Sequence, residues 1–279
     1  MPLSHDLSGR SPAGGTDVVL LHSSVCDRRM WDPLVPVLAD AGHRVVRCDF
    51  RGFGGTPVAE GPYDDAADVE ALLDRLGVER FALVGASYGG QVALRIAARR
   101  RDAVTALVLL CSAAPDHEPG PELLAFDARE EALFAAGDLA GAVELNVATW
   151  LGPEADDGVR ARVRDMQRHA FEVQSAAAEE HAPDGPAAEE HAPDEPEVDL
   201  SRIGAPCLAV SGAHDLADFR EIARSMPERV PGARHVELPW AGHLPSLERP
   251  AEVGALLTDF LRVAVPEGRG GSGGAMTGR

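Results

Sequence analysis

Three short segments of this chain carry side chains able to open a carbonyl compound. In Gly85-Ala86-Ser87-Tyr88-Gly89-Gly90 a serine has glycines two residues before and two after it. That spacing suits a hydroxyl held on a sharp turn between a strand and a helix, because only tiny residues let the two elements approach. The apolar run 81–84 and the helical pattern after Ser87 supply that context. A serine hydroxyl at its ordinary pKa is a poor nucleophile, so a neutral imidazole must take its proton and a carboxylate must fix the imidazole tautomer. Both are offered downstream, acid first. Asp215 ends Gly212-Ala213-His214-Asp215 after an apolar run, and His243 lies in Trp240-Ala241-Gly242-His243-Leu244-Pro245 after the last one.

Each of these residues also has a plainer reading. Asp215 has a lesser alternative as the cap of a helix beginning near Ala217, with Asp116, after the preceding strand, as the rival acid. Ser87 alone would pass as a turn serine, His243 as a buried structural histidine and His214 as a loop residue. A further histidine group lies in a tandem decapeptide, AAEEHAPDGP then AAEEHAPDEP, at 177–196. Its His181 and His191 stand among carboxylates, but the spacing matches no metal-ligand motif. Acidic, proline-bearing and poor in large apolar residues, the repeat reads as a solvated linker.

The elements that must position the three segments follow from short apolar runs bounded by Gly, Asp or Pro. Strands are predicted at 18–22, 44–48, 80–85, 106–111, 206–211 and 234–238. Helical spacing between several of them, as in Val69, Leu72, Leu73 and Leu76, implies a mostly parallel sheet covered by helices on both faces. The alternation lapses after Cys111. Helices are predicted at 121–136, 139–150 and 159–178, and 113–203 reads as a helical lid inserted into a core made of 17–112 and 204–264. Phe126, Phe134, Trp150, Met166 and Phe171 from this insert, with Trp240 near His243, are candidates to line a substrate pocket. The Gly- and Ser-rich end, 265–279, reads as a flexible tail. The sixteen residues before Asp17 look too few and too rich in Gly and Pro for leading strands, which predicts a sheet of about six.

Composition narrows the functional classes. The net charge of −19, from 45 acids against 26 bases, disfavours nucleic acid and anionic membranes as partners. Ten of the acids fall between Glu172 and Asp199, where there is no Arg. All 26 bases are Arg, so a Walker A phosphate loop and Schiff-base chemistry are both excluded for want of a lysine. No apolar stretch approaches the ~20 residues of a membrane span, and no signal peptide is visible. Cys26, Cys48, Cys111 and Cys207 are widely spaced without a CxxC pair, which predicts reduced thiols in a cytoplasmic protein.

At the GASYGG, SGAHD and AGHLPSLERP segments the chain resembles the α/β-hydrolase family, and the order Ser, acid, His agrees. The resemblance runs from about Val18 to Leu261, most of the lid apart, and places that lid after the family's sixth strand. It implies Ser87 as nucleophile, Asp215 as acid and His243 as base, with an oxyanion hole from the backbone N–H groups of Ser24 and Tyr88. It implies no cofactor and a small-molecule substrate. The segment Asp49-Phe50-Arg51-Gly52-Phe53-Gly54-Gly55 resembles the family's structural DxRGxG turn. A serine at the elbow argues against the relatives that use a carboxylate nucleophile. Among serine members the segments resemble enol-lactonases, esterases, carbon–carbon bond hydrolases and cofactor-free haloperoxidases or perhydrolases. A binding protein that keeps the fold without turnover is the reading from another class. Ser23, where the family has Gly, is a departure predicted either to narrow the oxyanion hole or to alter its backbone geometry.

Overall fold

The computed structural model describes residues 2–10, 16–180 and 198–265. Seven strands form one sheet: β1 (His5–Ser8), β2 (Asp17–Leu21), β3 (Val45–Cys48), β4 (Phe81–Ala86), β5 (Val104–Leu110), β6 (Cys207–Gly212) and β7 (Arg234–Leu238). Their order is β1-β3-β2-β4-β5-β6-β7, and every pairing is parallel except that of β1 with β3. The central strands β2, β4 and β6 are buried along their whole length, as strands covered on both faces must be, so their sequences are continuous apolar runs. Alternate residues divide between two cores. Val18, Leu20, Val84, Val108 and Val210 face one, and Val19, Leu21, Leu83, Leu107 and Ala209 the other.

The six expected strands are present, but the expectation that the sheet begins near residue 17 is overturned by β1. This edge strand is polar, runs antiparallel and leaves Leu7 exposed, so it has no apolar signature. Asp6 holds it to Arg28 at 2.8 Å and to Arg47 at 3.2 Å.

The helices are α1 (Val35–Asp40), α2 (Asp65–Arg75), α3 (Tyr88–Arg99), α4 (Pro121–Ala135), α5 (Leu139–Trp150), α6 (Asp157–Glu180), α7 (Ala217–Arg229), α8 (Pro245–Glu248) and α9 (Pro250–Ala264). Local chemistry sets several starts. Asp64 accepts from the N–H of Ala66 at 2.8 Å to cap α2, Asp138 does the same for Gly141 in α5, and Pro121 supplies a preset φ to α4. Helices α4–α6 fill the interval between β5 and β6. Their Phe126, Leu145, Trp150, Val163 and Met166 join the core on one sheet face, while Ala142, Val143 and Phe171 form a small core of their own. Residues 177–180 of the tandem repeat close α6. Its remainder, with His181 and His191, and the tail from 266 onward lie outside the described residues. Among the described residues no helix is long and apolar enough to cross a membrane, and all four cysteines are free and buried.

Candidate active site

Strand β4 ends at Ala86 and helix α3 begins at Tyr88, which isolates Ser87 between them with φ 52° and ψ −120°. For a residue with a Cβ this conformation costs about 1–3 kcal/mol and persists only where the surroundings impose it. Here the N–H of Ser87 donates to the Leu110 carbonyl at 3.0 Å, and its own carbonyl accepts from Gly90 and Ala113 at 2.9 and 3.0 Å. The flanking glycines are obligatory. A Cβ on Gly85 would lie 2.4 Å from the Gly89 carbonyl oxygen, and one on Gly89 would lie 2.3 Å from that of Leu21. Ser87 therefore stands at the C-terminal edge of the sheet, beside the positive end of α3.

Asp215 lies on the turn after β6 and His243 on the turn after β7. Asp215 Oδ2 accepts from His243 Nδ1 at 2.8 Å, with both side chains buried. The other carboxylate oxygen accepts from the N–H of Leu216 at 2.8 Å. The bond between His243 Nδ1 and Asp215 Oδ2 fixes the histidine as the tautomer with its proton on Nδ1, leaving Nε2 free to accept a proton. Close backbone approach makes the pairing possible: a Cβ on Gly212 would lie 2.0 Å from the Gly242 carbonyl oxygen, and one on Gly242 would lie 2.3 Å from the N of Gly152. The N–H of His243 donates to the Trp150 carbonyl at 2.9 Å, and its ring sits 4.6 Å from that of Trp150 and 4.2 Å from that of Phe219.

The rival assignments fare differently. Asp116 is exposed and pairs with Arg229 at 2.6 Å. Helix α7 has Leu216 as its cap residue and takes no side-chain cap from Asp215. His214 is exposed. Cys111 Sγ, Asp215 and His243 lie within 4.8 Å of one another. Burial first, then the Asp215 charge, pushes the Cys111 thiol well above its ordinary value, and its Sγ donates to the Gly242 carbonyl at 3.6 Å.

Ser87 and His243 open onto one cavity of about 370 Å³, within the usual range of small-molecule pockets. Ser24 and Tyr88, the expected oxyanion donors, both line it; Tyr88 is the first residue of α3, so its N–H has no acceptor within the helix. Ser23 is buried and does not line the cavity. His22 anchors this loop. Its Nδ1–H donates to the Ser23 carbonyl at 2.8 Å and its Nε2 accepts from the N–H of Phe50 at 2.9 Å, while burial holds its pKa below the ordinary value, so the ring is neutral. In the Asp49 turn the carboxylate accepts from the N–H groups of Arg28 and Gly55, both at 2.8 Å, and a Cβ on Gly54 would strike it. The glycine at 54 thus accommodates a protein carboxylate.

Of the expected pocket residues, Phe126, Trp150 and Phe171 line the cavity, with the first two rings 4.8 Å apart. Three others do not. Trp240 lies under the Arg249 guanidinium at 4.7 Å, Phe134 is 38% exposed against Phe171, and Met166 is buried in the core. Sequence reasoning missed Phe219, four residues past Asp215, and the polar lining of Asp127, Glu130, Asn146 and Gln167. The one available signal was spacing: Leu123, Phe126, Asp127 and Glu130 fall at i, i+3, i+4 and i+7, one face of α4. It also missed Glu248, whose carboxylate accepts from the Gly242 N–H at 3.0 Å and so braces the His243 turn.

Comparison with known proteins agrees with this geometry. A family model described as alpha/beta hydrolase fold matches residues 17–250. The candidate carbamate hydrolase RutD of Variovorax paradoxus is 30% identical over 275 residues, covering 95% of this chain and 98% of that protein. The pimeloyl-acyl-carrier-protein methyl ester esterase of Aeromonas hydrophila is 30% identical, covering 88% and 96% respectively. Among solved structures, the enol-lactonase of Burkholderia xenovorans superposes with a TM-score of 0.73 at 26% identity, covering 93% of this chain and 96% of that one. With a strained serine after the fourth strand, an acid–histidine pair on later strand ends and a family match across most of its length, this chain belongs to the α/β-hydrolase fold family.

Proposed function

We propose that the protein is a serine hydrolase that cleaves a small-molecule carboxylic ester or lactone through an acyl-enzyme on Ser87. The observation that carries this reading is the opening of Ser87 and His243 onto one cavity, with His243 already held by buried Asp215. Relatives named as hydrolases and esterases support the chemistry in general, and an enol-lactonase shares the fold. In the reading, His243 Nε2 takes the Ser87 proton as Oγ attacks the carbonyl carbon, and Asp215 stabilises the imidazolium. The N–H groups of Ser24 and Tyr88 hold the developing oxyanion, a contribution of about 2.7–4 kcal/mol per donor. Collapse expels the alcohol, which takes the proton from His243. Water, deprotonated by the same histidine, then attacks the acyl-enzyme and releases the acid and free Ser87.

Helices α4–α6 act here as the lid that shapes specificity, because they supply Phe126, Trp150 and Phe171 to the cavity. Four buried, unpaired thiols support a reducing, cytoplasmic setting. Turnover of a panel of short p-nitrophenyl esters and lactones tests the assignment. Ser87→Ala abolishes it, Asp215→Asn lowers kcat by about 10³–10⁴-fold, and Asp116→Asn leaves it unchanged. A parent rate that survives in Ser87→Ala would overturn the reading.

A further inference from the structure

The wall of the cavity supplied by α4–α6 is not the apolar surface that a lid stripe ordinarily presents. Helix α4 turns Leu123, Phe126, Asp127 and Glu130 towards the cavity, and two of these four are carboxylates. Glu130 accepts a hydrogen bond from Asn146 Nδ2, and Asn146 Oδ1 accepts in turn from Trp150 Nε1 at 2.9 Å, so the acid is tied to the aromatic lining. From α6, Gln167 faces the same space. It is only 3% exposed, and its buried Oε1 has no hydrogen-bond partner. A buried acceptor left unpaired costs about 1–3 kcal/mol, which a donor on a ligand would recover.

No positive charge balances this wall among the described residues. No arginine lines the cavity, the chain has no lysine, and the sole histidine there, His243, is already bonded to Asp215. Burial lifts the carboxyl of Glu130 above its ordinary value, and it lifts Asp127 too, with the nearby Glu131 and Asp218 charges adding to the effect. Such groups gain from a cation or a donor and repel a second anion.

We propose that this wall makes the enzyme selective for substrates that carry hydrogen-bond donors, above all a primary ammonium, on the part remote from the scissile carbonyl, and selective against those carrying a carboxylate there. The inference rests on the hydrolase reading of Ser87. Phe126 and Phe171 flank the apolar stem of such a substrate, while Asp127, Glu130 and Gln167 Oε1 receive its donors. Discrimination arises from both the attractive and the repulsive contact.

The test uses p-nitrophenyl esters of 4-(aminomethyl)-, 4-methyl- and 4-(carboxymethyl)benzoic acid, in which a saturated carbon insulates the carbonyl from the terminal group. The aminomethyl ester exceeds the carboxymethyl ester in kcat/KM by at least about tenfold, since juxtaposed like charges are strongly disfavoured. The ratio falls towards unity in the Asp127→Asn/Glu130→Gln double variant. A binding measurement makes the outcome independent of turnover: tryptophan fluorescence of Ser87→Ala titrated with 4-(aminomethyl)benzamide and with 4-(carboxymethyl)benzamide ranks the ammonium ligand first. Equal or reversed preference in both readouts overturns the inference while leaving the hydrolase reading intact. Ammonium-first binding to Ser87→Ala without turnover of any ester by the parent upholds the selectivity and sinks the hydrolase reading instead.

Discussion

At the scale of single residues, the chemistry depends on conformations that are unfavourable in isolation. Ser87 and Cys111 are the described non-glycine residues with positive φ, and both sit at strand ends beside the cavity or the acid–histidine pair. The strain at Ser87 accompanies the projection of its hydroxyl from the turn between β4 and α3. Its cost is measurable. Ser87→Gly relieves it and Ser87→Ala does not, so the glycine variant, although inactive, unfolds at higher urea concentration and is more stable than the alanine variant by about 1 kcal/mol. A glycine variant less stable than the alanine one would mean that the turn stores no strain. The serine and histidine were legible in the sequence because glycine spacing and position after an apolar run are local signals. Trp240 misled because nearness to His243 in sequence says nothing about which way the ring turns, and it turns under Arg249.

At the scale of elements, turns braced from outside hold the pair in place. Glu248 on α8 accepts from Gly242, immediately before His243. Burial raises its pKa above the ordinary carboxylate value, more than the amides of Gly242, Leu244 and Gly152 lower it. The folded state therefore binds this proton more tightly than the unfolded one. The contribution favours folding at low pH and is withdrawn as pH rises through the raised pKa. Subtracting the unfolding free energy of Glu248→Gln from that of the parent isolates it, and the difference falls as pH rises above 4.5, the ordinary value for a glutamate. A difference that rises with pH there contradicts the assigned direction. Little of this bracing was visible in the sequence, since Glu248 follows Leu247 in a stretch with no periodic signal of its own. The buried strands were easier to find than β1 for a related reason: burial on both faces writes a continuous apolar run, whereas an antiparallel edge strand held by Asp6 writes none.

At the scale of the whole molecule, the sheet carries Ser87, Asp215 and His243 beyond three strand ends far apart in the chain, and α4–α6 help to wall the cavity onto which Ser87 and His243 open. The order of the segments and the interruption after Cys111 were readable in advance. The character of the cavity was not, because Asp127 and Glu130 look like ordinary solvated positions until α5 packs against α4 and α6 contributes Gln167 and Phe171 to the same cavity. A sheet legible from burial thus carries a cavity wall legible only from packing. The central claim, that Ser87 is an activated nucleophile, is tested most directly by intact mass after exposure to a fluorophosphonate probe, run on the folded parent and on Ser87→Ala. The account predicts one covalent adduct on the parent and none on the variant. An unlabelled parent, or equal labelling of both, would contradict it.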